Sequence, residues 1–305
     1  MHIRDNLMYI AVKENKIAAI NRLGYVENVY DLGQYEMHHD FIFGNNNDIL
    51  ILVNNTERDS KEDIILSVNL KNNNVKEIID LGDLFPDIKE KAVLPEDTDK
   101  LDWIHVNSIE LVEDNNILLS SRELSTIINI GDIYKNPKIN YLISDKEIWK
   151  DTDYYDLVLD KIGDFEDHGG QHSLNVVHDD SLEKGQYYLY FYNNNTGVSA
   201  YYPYYEWVQP AADNSEVSSM YYKYLIDENN NSYSLVKEIV LPPSRYISSV
   251  QEYKNHTITD SGQSYTICEF DSNDELIAKY TIEEKMWGLY RTFKYDFNDF
   301  YFCEM

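Results

Sequence analysis

The chain has 305 residues, 43% of them hydrophobic, enough to bury the core of one large all-β domain or two ordinary ones. Its 54 acidic against 26 basic residues leave a formal charge of −28 and a pI near 4.5, a field that repels polyanions and excludes nucleic acid and anionic membrane surfaces as partners. No basic and apolar leader and no 18-residue apolar run occurs, so as it stands the sequence reads as cytoplasmic and not membrane-spanning.

In chain order, residues 8–12, 16–21 and 25–31 read as three short strands rich in Val, Ile and Tyr. HHDFIFGNNNDILILVN (38–54) is a strand, an Asn-rich turn and a second apolar strand, followed by the strand pair SVNLKNNNVKEIIDL (67–81). HVNSIELVEDNNILLSS (105–121) repeats the pattern. DIYKNPKIN (132–140) and SDKEIWKDTDYYDLVLDKI (144–162) are the only plausible helical or irregular insertions. QHSLNVVHDDSLEKGQYYLYFYNNN (171–195) with YKYLIDENNNSYSLVKEIVL (222–241), and YISSVQEYKNHTITDSG (246–262) with CEFDSNDELIAKYTI (268–282), complete the series. Finally, LYRTFKYDF (289–297) is a strand with no partner beside it in sequence.

The openings of these units fall about 66 to 75 residues apart, and a strand-turn-strand unit too small to bury both its faces must stack on its neighbours. The expected architecture is therefore a single all-β domain over residues 1–305, a β-propeller of about five to six blades, mostly of four antiparallel strands, around a central channel. Pairing the 289–297 strand with the N-terminal three would complete a blade and remove its open edges. Cys268 and Cys303 have no metal-like spacing and read as small core residues, with no disulfide inferable. The 27 tyrosines read as β-rich packing or as an aromatic-lined pocket, 187–192 and 201–205 being the candidate segments for stacking on an aryl group.

In a propeller the first strand of each blade lines the channel. Of eight histidines, three stand at equivalent openings, His39, His105 and His172, so the fold brings them toward one axis. His105 and Asn107, at i and i+2, can share a channel face. Arg122 ends the second strand of its unit and either pairs with Glu123 at the surface or aims a fork of donors at the channel mouth. Imidazoles with a guanidinium suit a tetrahedral oxyanion; a metal is expected to bring carboxylates beside the imidazoles, and none is evident, so no metal and no cofactor is expected. Asp40, adjacent to His39, should point to the opposite face. No phosphate loop, Cys/His metal motif or nucleophile elbow is present.

HHDF followed by a turn and ILIL, DWIHVNSI followed by DNNILLSSR, and GGQH followed by YLYFYNN resemble the motifs of the aryl-sulfate sulfotransferase family, bacterial enzymes that move sulfate between phenols without a nucleotide donor. The resemblance runs over about residues 25 to 295, with DWIHVNS and the downstream SSR as its specific part. It implies a six-bladed propeller and ping-pong transfer through a sulfohistidine, with His172 as nucleophile, His105 and Arg122 binding the sulfuryl group and His39 completing the site. His38 takes the place of His39 if the register shifts by one. Family members also carry an export signal, an N-terminal β-domain and further propeller before the HHD element, which would make the compartment periplasmic or extracellular. The partners are then an aryl sulfate and a phenol, with a homo-oligomer open.

The chemistry of the residues is consistent with this. Neutral imidazole forms a labile bond near pH 7; Arg122, His105 and Asn107 are positioned donors for charge on the sulfuryl oxygens; and His39 or a nearby tyrosine is the proton relay. Arg291, in the last strand, is a further substrate-binding candidate. Two other readings stay open, a metal-dependent propeller lyase or hydrolase using His39, His105 and His172 as ligands, and a non-catalytic binding propeller.

Overall fold

The computed structural model describes residues 1–113, 115–205, 217–283, 288–297 and 300. They form five β-sheets arranged as the blades of a propeller. Blade one comprises His2–Arg4, Leu7–Lys13, Lys16–Asn21 and Val26–Asp31; blade two Tyr35–Phe43, Asp48–Asn55, Ile64–Asn69 and Val75–Asp80; blade three Val106–Glu113, Asn116–Ser121, Thr126–Gly131 and Lys138–Ile143. Blade four comprises His172–Val177, Gln186–Asn193, Ser219–Asp227 and Ser232–Leu241, with a fifth edge strand, Asp160–Ile162, added in parallel; blade five comprises Ser249–Tyr253, His256–Ser261, Thr266–Phe270 and Leu276–Thr281. No helix among the described residues is long and apolar enough to cross a membrane.

The Asn-rich signals are tight turns: Asn6, Asn47, Asn73 and Asn231 all adopt positive φ, a conformation asparagine tolerates. Between turns, strict alternation divides each central strand between two neighbours. In DILILVNN, Ile49, Ile51 and Val53 pack with blade one, while Leu50 and Leu52 pack with blade three. In NILLSS, Ile117 and Leu119 face blade two and Leu118 faces blade four. No blade is a free-standing sandwich; each core lies between two blades.

The tyrosines of 187–192 belong to these cores. Tyr187, Tyr222, Tyr224 and Tyr233 fill the interface of blades three and four, and Tyr190, Tyr192 and Tyr221 that of blades four and five. Tyr201 and Tyr202 are likewise buried, against blades two and three. Packing accounts for Tyr187, Tyr190, Tyr192, Tyr201 and Tyr202, whereas Tyr204 is 83% exposed. Cys268 is a buried free thiol of the last interface, whereas Cys303 lies outside the described residues.

Three expectations are corrected. Blade one has its own innermost strand, His2–Arg4, paired with Leu7–Lys13, so residues 289–297 do not complete it. That segment instead runs along the inner strand of blade five, where Thr292 N donates to Ser249 Oγ (3.0 Å), Lys294 N to Gln251 Oε1 (2.8 Å) and Leu289 N to Gly262 O (3.1 Å). The second is DIYKNPKIN, which holds a turn and then a strand beginning at Lys138. The third concerns helices: the only α-helices among the described residues are Leu81–Leu84, capped by Asp80, and Pro86–Lys91, which starts on the proline. By contrast, 144–162 is irregular as expected, with two 3-10 turns, Lys146–Trp149 and Tyr155–Leu157.

The terminal segment also covers Asp260, which is fully buried; its Oδ2 accepts from Thr292 Oγ1 (3.1 Å) and its Oδ1 has no partner. Burial pushes its pKa up to about 7. A carboxyl whose folded pKa is raised binds a proton that the unfolded chain releases near pH 4, so its stability contribution falls as pH rises toward 7. Asp260→Asn should therefore raise the unfolding free energy by roughly 2–4 kcal/mol at pH 8.5 and leave it nearly unchanged at pH 4.5. Equal effects in denaturant melts at the two pH values would show that Asp260 is not buried as a neutral acid.

Candidate functional site

Blades two, three and four enter the axis through distorted strand openings. The register of blade two slips between Met37 and Phe41, that of blade four between His172 and Asn175, and that of blade three opposite Ser120 and Ser121. At these irregularities His39 (φ 52°), His105 (φ 45°) and Ser173 (φ 58°) adopt the left-handed conformation, which costs a non-glycine residue about 1–3 kcal/mol. Such bulges re-aim side chains. Here they turn imidazoles from successive blades toward one point, and the rings of His39 and His105 lie 5.0 Å apart.

His172 is carried by the GGQH turn. Gly170 has φ 60°, and a Cβ on it would lie 2.7 Å from the Thr196 carbonyl oxygen, so only glycine fits. Gln171 ties the turn to blade three through Ser120 Oγ, Ser121 O and Thr126 O, each at 3.1 Å, while its own carbonyl accepts from Asn107 Nδ2 (2.9 Å) and Ser120 Oγ (2.8 Å). Asn107 is fully buried; its Nδ2 donates to this turn and so supports His172, and its Oδ1 has no partner among the described residues.

The tautomer of His172 follows from its surroundings. Nδ1 lies 2.8 Å from Asn194 Oδ1 and 2.9 Å from Gly170 O. Both hydrogens of Asn194 Nδ2 are taken by the carbonyls of Ser244 (2.8 Å) and Ile247 (2.9 Å), which fixes Oδ1 as the atom facing the ring. Two acceptors require Nδ1 to carry the proton. Nε2 is then a lone pair with no hydrogen-bond partner among the described residues. Burial holds His172 well below the usual imidazole range against the hydrogen bond to Asn194, and the positive charges of His105 and Arg122 add to the effect of burial.

His105 is in the opposite state. Its Nδ1 lies 2.7 Å from Asp102 Oδ2 and 2.9 Å from Glu62 Oε2. Burial disfavours its charge, but the two carboxylates outweigh burial and push it up to about 10, so it is an imidazolium whose Nε2–H remains to be donated. For Glu62, burial pushes upward and the His105 and His39 rings more than offset it, holding the carboxyl well below its usual range. His39 is neutral, driven down by burial; its Nε2–H donates to Glu62 Oε2 (2.9 Å), and its Nδ1 accepts from the Tyr290 hydroxyl. His38 packs edge-on to His39, neither of its nitrogens has a partner, and burial lowers its pKa to about 3.

Arg122 is half-buried and pairs with Glu123, one of the two sequence readings. Nη1 pairs with buried Glu123 (2.7 Å), and the guanidinium lies 5.7 Å from the Tyr246 ring centroid. Arg291 is bound to Asp40 Oδ1 (2.7 Å) and to the Asn107 carbonyl (3.3 Å), apart from the histidine cluster. Asp40 indeed stays out of the histidine cluster, on the wall of a separate channel cavity of about 560 Å³ shared with Glu110 and Gln251.

Sequence reasoning missed Glu62, Asp102, Asn194 and Tyr290. The expectation that no carboxylate stands beside the imidazoles is wrong, and with it the argument made there against a metal. Asp102 had a signal, standing three residues before His105 inside DWIH. Glu62 lies in the loop between the second and third strands of blade two, where no periodicity applies.

The family model described as Arylsulfotransferase (ASST) matches residues 1–294. The chain belongs to the arylsulfotransferase family. That membership supports sulfuryl transfer between small aryl compounds as the general activity. No curated protein matches the chain. Among solved structures, a catalytically inactive virginiamycin B lyase from Staphylococcus aureus with quinupristin is 13% identical over 93% of this chain and 69% of its own, with a TM-score of 0.49. A streptogramin B lyase is 10% identical over 93% and 82%, with a TM-score of 0.45. Blade count is where this arylsulfotransferase differs from the six expected from the resemblance, with five among the described residues.

Proposed function

We propose that the protein transfers a sulfuryl group from an aryl sulfate to a phenol by a ping-pong route through a sulfohistidine at His172, and the free Nε2 lone pair of that residue is the observation that carries the reading. In the first half, Nε2 attacks sulfur, the N–S bond forms as the S–O(aryl) bond breaks, and the negative charge leaves on the aryl oxide. Arg122 and the His105 Nε2–H are the donors for the sulfuryl oxygens, fixed before reaction by Glu123 and by the Glu62 and Asp102 carboxylates. In the second half, a phenol oxygen attacks sulfur and the electron pair of the N–S bond returns to Nε2. The phenol proton passes to the Tyr290 oxygen as the Tyr290 proton moves to His39 Nδ1, along the hydrogen bond already present.

The test is intact-mass spectrometry after mixing the protein with 4-nitrophenyl sulfate in the absence of acceptor. A sulfuryl-sized gain that maps to the peptide containing His172 and disappears on adding phenol is the expected result. Nitrophenol release without any adduct would favour direct transfer between bound donor and acceptor. Because burial keeps His172 unprotonated far below the usual imidazole range, the single-turnover rate of adduct formation should stay level from pH 8 to 5.5. An acid limb centred near pH 6.5 that tracks His172 would show that the ring is not desolvated as described.

A further inference from the structure

Glu62 is the shared vertex of two groups of ligating side chains. The donor atoms of Glu62, Asp102 and His105 lie within 4.8 Å of one another, as do those of His38, His39 and Glu62. We propose that Glu62, Asp102 and His105 bind a divalent transition-metal ion of the zinc type, which replaces the proton they share and suppresses sulfuryl transfer by drawing Glu62 away from His39. This goes beyond the transferase reading and assigns the cluster a second ligand.

Donor chemistry and geometry carry the assignment. Two carboxylate oxygens and one imidazole nitrogen are the mixed N/O set that zinc accepts, with open positions left for water or an oxyanion. A tetrahedral ion with bonds near 2.1 Å sets its ligands about 3.4 Å apart. The atoms now stand at 2.7 and 2.9 Å across shared protons, so each pair opens by well under 1 Å, about 0.5 to 0.7 Å. The ligands are held from behind: Glu62 N donates to Asn54 Oδ1 (2.6 Å), and Asp102 and His105 precede the inner strand of blade three, beside fully buried Trp103 and Ile104.

A separate feature also points to a ligand. Asp102 is 4% exposed, yet its Oδ1 has no hydrogen-bond partner, an arrangement that costs about 1–3 kcal/mol unless something else satisfies the oxygen. A metal ion that Asp102 holds through both of its carboxylate oxygens would do so. Lys61 Nζ, 3.5 Å from Asp102 Oδ2, is the cation that must yield; its side chain is 35% exposed and can swing into solvent. The exchange balances as one ion bound and one proton released from His105 Nδ1, and the His39 Nε2–H loses its acceptor when Glu62 turns to the metal.

The experiment is calorimetric titration of the metal-free protein with zinc chloride, in two buffers of different ionisation enthalpy and with no aryl sulfate present. One ion per chain with proton release is expected, with at least tenfold weaker binding in both Asp102→Asn and Glu62→Gln and unchanged binding in His256→Ala, which removes an exposed histidine paired with Glu269. Bound cobalt(II) should show the intense visible bands of a low-symmetry site, so the assignment can be read even if one variant folds poorly. Absence of binding, or binding that survives both carboxamide variants as surface attraction to an acidic chain, overturns the proposal. Zinc that binds yet leaves nitrophenol release unchanged overturns its inhibitory half. Since the titration needs no donor, its failure is distinct from failure of the His172 adduct measured in chelator.

Discussion

His172→Ala is expected to lower phenol-dependent nitrophenol release by at least about 10³-fold and to abolish the covalent adduct, because no other described group presents a free nitrogen lone pair held by two acceptors. The substitution also removes the donor to Asn194 Oδ1 and the Gly170 carbonyl, so a stability loss of about 1–3 kcal/mol should accompany it. The two effects separate in one experiment: a cooperative melt at a somewhat lower midpoint, with no turnover, is the predicted pair. Retention of a tenth of the wild-type rate by a folded variant would remove His172 from the chemistry. His38→Ala tests the register of the HHD element; His38 has no partner on either nitrogen, so its loss should cost far less activity than that of His39, whose ring links Glu62 to Tyr290.

Trp103→Ala carries the largest expected effect on folding. Trp103 is fully buried between blades two and three; its Nε1 donates to Asp63 Oδ2 (3.0 Å), and the Lys89 ammonium, itself 3.0 Å from that oxygen, lies 5.6 Å from its ring centroid. Removing a buried indole costs about 3–5 kcal/mol in transfer and cavity terms. Asp63, whose other oxygen already has no partner, adds about 1 kcal/mol more when the donor is lost. Since Trp103 stands between Asp102 and His105, activity under conditions where the variant is still folded should fall too. Denaturant unfolding within 1 kcal/mol of wild type would mean that the interface closes around the gap, and that His105 is oriented by its carboxylates alone.

The propeller was legible because its signals are local. Asn turns and strict alternation recur at a near-constant period, and His39, His105 and His172 stand at the same phase of it. What could not be read depends on contacts without a period. Glu62 reaches the histidines from a loop, and Tyr290 and Arg291 from a segment that follows blade five without joining a sheet. The three residues His2–Arg4 are too few to display alternation, which is why the first blade looked short of a strand and the last segment looked like its missing piece. Asn107 and Arg291 were read as donors to substrate from their residue type; the structure matches each to a partner inside the wall, the Gln171 carbonyl and Asp40. The helices at 81–91 carried ordinary capping signals, Asp80 and Pro86, but fall in a stretch where the surrounding strands dominate the pattern.

The contact between Tyr290 and His39 joins residues 251 apart in the chain. During synthesis the blades can dock as they emerge, since each core needs only the next neighbour. The relay cannot. Until the ribosome has passed residue 291, His39 has no phenol beside it and Asp40 has no guanidinium, so a nascent chain that has already formed its blades still lacks both contacts. A contact of such long separation is expected to form late, because loop closure precedes its reward, and under the proposed mechanism it is the one that carries the phenol proton.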